Sequence, residues 1–361
     1  MHVRKLVQTL IVGGLWCLAW ASLGCFDGHL LDAVDASVPA GDLADGGSEA
    51  SGSSDTGLEL SGELRAHDPA LIRSETSGWY VFSTGDAAVA GGTIQIRRSS
   101  DLHQWALAGT VFDAIPGWVR EAVPGVQNLW APDVIEHEGL FYLFYSASTF
   151  GSNRSVIGLA TNVTLDPEDP DYLWVDRGLV TASLPENDYN AIDPSVIVDA
   201  AGRAWLAFGS FWSGIRMLEL SVSDGTVVAA AEEPLRLADR FVPPNAIEAP
   251  TLLEHDGWYY LFVSFDFCCQ GLGSTYKIAV GRSPEVVGPY FDRLGTPLVH
   301  GGGTVILSER GDMFGPGGQS VHAGILAHHY YDRSANGDFR LSLRPIEWDA
   351  QGWPHITRVG D

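Results

Sequence analysis

Three carboxylates in this sequence occur beside prolines in closely similar surroundings. Asp68 and Asp193 directly precede a proline, and Glu248 lies two residues before one. Carboxyl groups that share a partly dry cavity cannot all ionise freely, so at least one of them should have a raised pKa. An ionised carboxylate beside a protonated carboxyl is the base and acid pair that glycoside hydrolysis uses. This chemistry requires a fold that brings the three side chains together.

The three carboxylates belong to a segment that the chain repeats. Each clear copy has an acidic residue and a proline just ahead of an apolar run, and then a glycine ahead of a second apolar run. Four clear copies begin at His67, Ala131, Ile192 and Ile247, and a less regular fifth copy begins at Gly317. A fixed period of about 60 residues indicates a repeat architecture. The short apolar runs, separated by Gly, Pro, Asn or Asp, predict β-strands.

Five such units predict an all-β fold, a five-bladed β-propeller whose innermost strands line a central channel. Equivalent residues of successive blades converge on one axis, so Asp68, Asp193 and Glu248 should face one another. The alternative is that the acidic residues only shape the entry into each strand by accepting turn hydrogen bonds. Asp133 follows its proline instead of preceding it, and we interpret it as structural.

Aromatic residues lie next to two of the repeated segments. Trp130 precedes the second copy, and Phe211 and Trp212 follow the third. Flat rings with a few polar groups suit the apolar faces of sugars, and such mixed lining is typical of small-molecule sites. Each ring taken alone is more often a core residue than a site residue, and their place at the same end of the repeats is what favours a site.

Composition and charge exclude some partners. The 361 residues are 45% hydrophobic and 11% aromatic, which is enough for a large core. The net charge is -24, so nucleic acid and anionic membrane surfaces are excluded because their phosphates would be repelled. A neutral substrate fits this charge better, and we expect a monomer.

The amino-terminal part of the chain is predicted to lie outside the folded domain. Residues 1–25 have basic residues, an apolar stretch and small residues in the order of a bacterial secretory signal. Cys25 ends a stretch similar to a lipoprotein box, so the protein is either secreted or held at the outer cell surface by an acylated Cys25. Residues 26–63 are acidic and contain no Lys or Arg, which predicts a disordered linker. Residues 64–361 are predicted to form the catalytic propeller.

The cysteines build no framework between distant loops. Cys268 and Cys269 are adjacent, and the other two, Cys17 and Cys25, lie in the leader. The adjacent pair has two interpretations, a pair of small buried hydrophobic residues or a vicinal disulfide.

An ordered set of short motifs runs through residues 64–361, and it resembles glycoside hydrolase family 43, in particular the endo-α-1,5-L-arabinanases. An Asp-Pro pair alone is weak evidence, whereas the ordered set is specific. The matching stretches are His67 to Pro69, Leu129 to Asp133, Asn190 to Ser195, Gly209 to Ile215, Ile247 to Pro250, Asp266 to Gly271, Ser274 to Ile278, Val280 to Ser283, Gly288 to Tyr290, Arg344 to Ile346 and Gly352 to Pro354.

The resemblance implies hydrolysis of internal α-1,5 links in arabinan with inversion of configuration. Asp68 would be the general base that activates water, and Glu248 the general acid that protonates the leaving oxygen. Asp193 would orient that acid and keep its pKa high. The two catalytic carboxyls of an inverting pair are expected roughly 6.5 to 9.5 Å apart. The substrate-binding residues that the resemblance implies are His67, Trp130, Asn190, Phe211, Trp212 and Ser213.

The resemblance also implies a metal ion, commonly calcium, near the channel centre. A His that follows Gly-Pro-Gly helps to hold it, but Gly318 stands at that position, which leaves calcium open. His322 is an alternative ligand, since an even offset along a strand keeps a residue on the same face. His329 matches a family pattern and is predicted to be structural.

Two other functions remain open beside the endo-acting enzyme. The same carboxylates could serve an exo-acting α-L-arabinofuranosidase or β-xylosidase if loops close one end of the cleft. The missing metal His and the lipoprotein-like signal would suit a catalytically weak propeller that binds arabinan at the cell surface. The three retained carboxylates favour the enzyme.

Overall fold

The structure is a computed structural model and describes residues 57–221 and 233–356. These residues form five β-sheets, and the innermost strands of neighbouring sheets contact one another in a closed ring. The predicted all-β fold, a five-bladed β-propeller, is confirmed. Helical structure in the described ranges is limited to α1 Gly117–Ala122 and short 3-10 turns at Ala90–Gly92, Gly271–Gly273, Leu298–His300 and Arg333–Ala335.

Each blade is one contiguous stretch of chain whose first strand lies innermost. A short strand, β1 Ser61–Gly62, adds to the outer edge of blade 1, which contains β2 Ala70–Ser74, β3 Gly78–Ser83, β4 Gln95–Ser99 and β5 Gln104–Thr110. Blade 2 contains β6 Trp130–His137, β7 Leu140–Ala147, β8 Ser155–Asn162 and β9 Val175–Ser183. Blade 3 contains β10 Ser195–Val198, β11 Ala204–Phe208, β12 Ile215–Leu220 and β13 Leu235–Ala238.

The last two blades repeat this order. Blade 4 contains β14 Ile247–His255, β15 Trp258–Phe265, β16 Lys277–Ser283 and β17 Thr304–Leu307. Blade 5 contains β18 Met313–His322, β19 Ile325–Asp332, β20 Asp338–Trp348 and β21 Pro354–Ile356. The strands of each blade pair antiparallel in chain order, so the less regular fifth copy of the repeat is a complete blade.

The hydrophobic core lies between neighbouring blades. The second strands are nearly continuous apolar runs because both of their faces pack against other blades. In β7 every residue after Leu140 is buried. Phe82 of blade 1 and Leu143 of blade 2 belong to one buried cluster, and comparable clusters join the other blades.

The inner strands begin with the same backbone turn in all five blades. One residue of each copy has a left-handed conformation, with φ between 37° and 58°, which is uncommon for residues other than glycine. These residues are Asp68, Ala131, Asp193, Ala249 and Gly318. The repeat therefore holds five equivalent positions around the channel axis.

Side chains two residues further along link the inner strands. In three blades this side chain accepts a hydrogen bond from a backbone N–H of the next blade. The bonds are Val196 N to Asp133 Oδ2 at 2.7 Å, Leu252 N to Ser195 Oγ at 3.0 Å, and Leu71 N to Ser320 Oγ at 3.0 Å. The last of them joins blade 5 to blade 1. Asp133 thus connects two blades, which is the structural role that its place in the repeat predicted.

The amino-terminal segment crosses the seam between blades 1 and 5. β1 pairs parallel with β5, while Leu58 N–H donates to Leu343 O at 2.9 Å in blade 5. The propeller domain therefore begins before Leu64, and residues 57–63 are part of it instead of the predicted linker. The rest of that linker and the predicted leader lie outside the described residues. In the two described ranges, no helix is long and apolar enough to cross a membrane.

Candidate active site

A pocket of about 1170 Å³ opens at the end of the channel where the inner strands begin. The starts of the inner strands and the loops that follow the second strands line it. Asp68, Asp193 and Glu248 all line this pocket, so the structure brings the three predicted carboxylates together.

The three carboxylates are not strictly equivalent in the repeat. Asp68 and Asp193 occupy the left-handed position of their blades, whereas in blade 4 that position is Ala249. Glu248 precedes it and corresponds to His67 of blade 1. The site is therefore built from two successive positions of the repeat, in agreement with the distance of each acidic residue from its proline.

Asp68 is held by hydrogen-bond donors. Its Oδ2 accepts a hydrogen bond from Thr84 Oγ1 at 2.6 Å and lies 2.8 Å from His67 Nδ1. Its Oδ1 lies 3.5 Å from His329 Nδ1. Burial by itself raises the pKa of Asp68, but His67, His329 and Thr84 outweigh burial and lower the pKa to about 2. Asp68 is consequently an ionised carboxylate at neutral pH.

The pKa of Glu248 is shifted in the opposite direction from that of Asp68. Its Oε2 accepts a hydrogen bond from Ser210 Oγ at 2.5 Å, and its Oε1 accepts one from the phenol of Tyr276. Burial, with a smaller contribution from the charge of Asp68, raises the pKa of Glu248 to about 7, against the opposing effect of Ser210. Glu248 can therefore carry a proton near neutral pH.

Asp193 joins the other two carboxylates. Its Oδ2 accepts a hydrogen bond from the backbone N–H of Ala249 at 3.0 Å, directly after Glu248. Burial, followed by the charges of Glu248 and Asp68, raises the pKa of Asp193 well above its usual value. Asp193 is thus tied to the chain segment that carries Glu248.

The predicted substrate-binding residues divide into two groups. The residues that line the pocket are His67, Trp130, Asn190, Phe211 and Trp212. Ser213 is not among the lining residues, because its hydroxyl accepts hydrogen bonds from Arg216 Nε at 3.1 Å and Nη2 at 2.7 Å. Instead Ser210, three residues earlier, contributes its hydroxyl to the pocket.

The pocket rim carries two aromatic side chains that the repeat pattern did not single out. Phe150 lines the pocket on the blade 2 loop and is 85% exposed, and Phe267 lines it from blade 4. Both lie beyond the repeated segments, in loops where no periodicity marks them. Together with Trp130, Phe211 and Trp212 they form an aromatic surface that suits the apolar faces of sugars.

The histidines differ from expectation. His322 lies away from the pocket, where its Nε2 accepts a hydrogen bond from the Arg73 backbone N–H at 3.2 Å and its ring meets Trp79 edge-on. His329 is the imidazole beside Asp68, and its Nδ1 accepts the Asp68 N–H at 3.1 Å. His67, Asp68 and His329 offer donor atoms within 4.8 Å of one another. The candidate metal group therefore includes His329 and excludes His322.

Gly318 does not leave a gap for a missing imidazole. A Cβ on Gly318 would lie 2.4 Å from Asp68 Oδ1 and 2.7 Å from His329 Nδ1. The neighbouring side chains already occupy the space that a larger residue would need. Glycine at this position therefore fits the packing around Asp68 and His329.

Cys268 and Cys269 form a vicinal disulfide that lines the pocket. Cys268 is half-buried and Cys269 is exposed, so the alternative of two small buried hydrophobic residues is wrong. The loop that carries the disulfide lies next to Tyr331, which also lines the pocket.

Hydroxyl groups at the ends of the second strands were missed, although the sequence contains a signal for them. In three blades such a hydroxyl accepts the N–H of the left-handed residue in the next blade. These bonds are Ala131 N to Thr84 Oγ1 at 2.9 Å, Asp193 N to Ser146 Oγ at 2.9 Å, and Gly318 N to Ser264 Oγ at 3.0 Å. A Ser or Thr closes the second apolar run in each of these copies, and this regularity could have identified them. His329 serves Asp68 in the same way.

The arrangement combines an ionised carboxylate, a carboxyl with a raised pKa and an aromatic pocket. Such a site can activate a water with one group and protonate a leaving oxygen with the other. Its lining of aromatic rings with a few polar groups fits a neutral sugar chain better than a charged ligand. Asp68 and Glu248 are the groups with these two properties.

Comparisons with known proteins agree with this chemistry. The model of the glycosyl hydrolases family 43 matches residues 62–354. Extracellular endo-α-(1→5)-L-arabinanase 1 of Bacillus subtilis is 42% identical over 290 residues, which are 80% of this chain and 86% of the relative. Extracellular exo-α-(1→5)-L-arabinofuranosidase ArbA of Cellvibrio japonicus is 37% identical, over 81% of this chain and 87% of the relative. The solved family 43 endo-arabinanase of Bacillus licheniformis is 39% identical with a TM-score of 0.77, covering 82% of this chain and 99% of that one.

Proposed function

The chain belongs to family 43 of the glycosyl hydrolases, and we propose that it hydrolyses internal α-1,5-L-arabinofuranosidic links of arabinan with inversion of configuration. The observation that carries this proposal is the convergence of Asp68 and Glu248 in one pocket, with pKa values shifted in opposite directions. An inverting glycosidase needs such a pair, one group to take a proton and one to give it.

In the proposed reaction Asp68 is the general base. Its Oδ2 is engaged by His67 and Thr84, so the carboxylate has a fixed orientation. A water molecule between Asp68 and the anomeric carbon transfers a proton to the carboxylate as its oxygen attacks. The attack comes from the face opposite the leaving group, which inverts the configuration.

Glu248 is the proposed general acid. It donates its proton to the glycosidic oxygen as the bond to the anomeric carbon breaks, which avoids expulsion of an alkoxide. Tyr276 and Ser210 hold its two carboxyl oxygens, and Asp193 holds the backbone of the next residue. Asp193 is therefore a positioning residue for the acid.

Calcium is a further proposal, supported by the donor atoms around Asp68. His329 Nδ1 accepts the Asp68 N–H, so its buried Nε2 carries the ring proton, and this nitrogen has no hydrogen-bond partner in the described part of the chain, which suits a bound water. Calcium takes 6–8 oxygen ligands. Asp68 would hold such an ion, with water as most of its shell and the His329 N–H facing that water. When bound, its charge would favour the ionised form of Asp68.

The site of action is proposed to be outside the cell. The leader-like residues 1–25 and the relatives that are named extracellular support secretion. Acylation of Cys25, which would hold the enzyme at the cell surface, is a separate proposal. Globomycin treatment of a bacterial expression host separates the two, because it blocks processing of a lipoprotein precursor and leaves ordinary secretion intact.

The proposed function is tested with linear arabinan and a time course of products. A spread of arabino-oligosaccharides early in the reaction supports internal cleavage, whereas arabinose alone from the start would favour the exo-acting alternative. No product despite retained binding would favour a carbohydrate-binding propeller. Proton NMR of the first product checks the stereochemistry, since an inverting enzyme releases the β-anomer from an α-link.

A further inference from the structure

Two residues, Tyr331 and His67, connect the loop of the vicinal disulfide to the proposed catalytic base Asp68. The backbone N–H of Cys269 donates to Tyr331 Oη at 2.7 Å. Tyr331 Oη lies 3.0 Å from His67 Nε2, and His67 Nδ1 lies 2.8 Å from Asp68 Oδ2. A continuous series of hydrogen bonds therefore runs from the disulfide loop to Asp68.

The direction of these hydrogen bonds follows from counting donors and acceptors. A phenol has one O–H to donate and two lone pairs to accept with. Cys269 N–H fills one lone pair of Tyr331, which leaves the O–H of the phenol able to donate to His67 Nε2.

Two neighbours favour the same tautomer of His67. The ionised Asp68 Oδ2 can only accept, so the ring proton lies on Nδ1, and Nε2 then accepts the O–H of Tyr331. Together with Thr84, His67 occupies Oδ2, while Oδ1 lies 3.5 Å from His329 Nδ1. The orientation of the carboxylate thus depends on a phenol that the disulfide loop holds.

The conformation of the disulfide loop fixes the direction of the Cys269 N–H. Cys269 has a left-handed backbone with φ 66°, and the loop closes through Thr275 N to Phe267 O at 2.8 Å and Ser274 N to Gly271 O at 3.0 Å. The bond between the adjacent sulfurs restricts the rotations of the peptide unit that carries the Cys269 N–H.

We propose that the Cys268–Cys269 disulfide and Tyr331 are positioning residues that fix the tautomer of His67 and thereby the orientation of Asp68. Neither needs to touch the reacting atoms. The proposal rests on the proposed function only in calling Asp68 the base. The hydrogen-bond relationship itself does not depend on which glycosidic link is cleaved.

The first test is nitrogen NMR of the full-length protein labelled with ¹⁵N-histidine. The signals of His67 are assigned by their absence in a His67→Gln variant. In the wild type, its Nδ1 should be protonated and its Nε2 unprotonated. Tyr331→Phe, and separately Cys268→Ser with Cys269→Ser, should shift His67 toward the other tautomer or a mixture. An unchanged Nδ1–H tautomer in Tyr331→Phe would overturn the proposal. This test needs no turnover, so it stands even if the substrate is assigned wrongly.

The second test is kinetic, on arabinan. Each variant should lower kcat roughly 10- to 100-fold while KM changes less than about twofold, because only the base is misplaced and a whole general base contributes 10²–10⁴-fold. A loss confined to KM would contradict the proposal. Tyr290→Phe is the matched control, since it removes a buried hydroxyl that donates to Val286 O at 2.6 Å, away from the pocket.

Reversible reduction of the disulfide tests the proposal without a variant that could fail to fold. Reduction of the wild-type disulfide with a phosphine should reproduce the lower kcat and the His67 shift, and reoxidation should restore both. Circular dichroism should stay unchanged throughout. Full activity of the reduced protein, with the free thiols verified by mass spectrometry, would exclude the disulfide from the positioning role.

Discussion

The ring of Tyr276 occupies the place where Gly317 would carry a side chain. A Cβ on Gly317 would lie 2.2 Å from Tyr276 Cδ2, so only glycine allows the phenol to reach Glu248. Gly317 corresponds in the repeat to Glu248 itself and to His67. Blade 5 therefore contributes to the site by leaving out a side chain that its neighbours supply.

Gly317→Ala should lower kcat because it displaces Tyr276 from Glu248. Loss of a hydrogen bond to an ionisable group is worth about 1.5–3 kcal/mol, which corresponds to roughly a 10- to 100-fold loss in kcat/KM on arabinan. Tyr276→Ala should cause a loss of similar size. Adding Gly317→Ala to Tyr276→Ala should change little further, since residues in contact act non-additively. Additive losses in the double variant would show that Gly317 and Tyr276 act independently of each other.

Gly318→Ala should impair activity through contact with Asp68 and not through backbone strain. Gly318 and Gly311 have almost the same φ, +56° and +57°, but an added Cβ meets Asp68 only at Gly318, whereas nothing lies within 4 Å of it at Gly311. We expect Gly311→Ala to retain normal kcat and Gly318→Ala to lose at least about tenfold, because the proposed base moves. Equal effects in both variants would point to strain alone.

Gly318→His tests whether position 318 can provide a metal ligand. Position 318 is packed against Asp68 and His329, so a histidine there should inactivate the protein and create no new calcium site. Calcium titration followed by calorimetry measures this directly. His329→Ala is the informative partner, and it should weaken any calcium binding of the wild type. Tighter calcium binding in Gly318→His would contradict the packing argument.

The pH profile of kcat/KM should fall on its alkaline side as Glu248 loses its proton. The acid must be protonated to act, so activity is present below its pKa and declines as the pH rises through about 7. Ser210 lowers this pKa by its hydrogen bond, so Ser210→Ala should move the decline to higher pH. Ser99→Ala, which removes a buried hydroxyl next to Asp101, should leave the profile unchanged.

Asp133 should matter for stability and not for turnover. Asp133→Ala leaves the buried N–H of Val196 without its acceptor, which should lower the free energy of unfolding by about 1–3 kcal/mol. Asp133→Asn keeps an acceptor and should cost much less. Urea unfolding of both variants, together with unchanged kcat on arabinan, checks the assignment.

The pH dependence of stability provides a second test of Asp133. Burial raises its pKa from 3.8 to about 6 in the folded protein. Protonation therefore favours the folded state, and this contribution is complete below pH 3.8 and is lost as the pH rises through about 6. Asp133→Asn should abolish that part of the pH dependence. A wild type and an Asn variant with parallel pH profiles would argue against a buried, poorly solvated carboxyl.

The fold and the three carboxylates were predictable because repetition makes them visible. Asp68, Asp193 and Glu248 recur with proline near the start of equivalent strands, so convergence follows once the period is recognised. Their register is visible as well, because Asp68 and Asp193 directly precede a proline whereas Glu248 lies two residues before one. The irregular strand pairing between Glu248 and Thr251, which blade 2 shares between Trp130 and Asp133, was not predictable.

The groups that set the pKa values were less accessible to sequence reasoning. Tyr276 lies in the loop before β16 and His329 lies in β19, both far in sequence from the carboxylates that they contact. His329 takes the place that a hydroxyl has in three other copies, so its residue type does not reveal the shared role. Gly318 stays interpreted as a position without the expected ligand, but the sequence could not show that Asp68 and His329 fill the space beside it. The disulfide loop was visible as two adjacent cysteines, but its contact with Tyr331 depends on how blades 4 and 5 meet.

The segment that spans the first and last blades has a consequence for the order of folding. Leu58 is among the first folded residues to be synthesised, yet its backbone partner, Leu343, is made almost at the end. Each blade can form its own hairpins as it emerges, but the ring cannot close until blade 5 has been made. Contacts of such wide sequence separation are slow to form. Until then the flank of blade 1 is unpaired and prone to aggregate, so a nascent chain would gain most from a chaperone before blade 5 has formed.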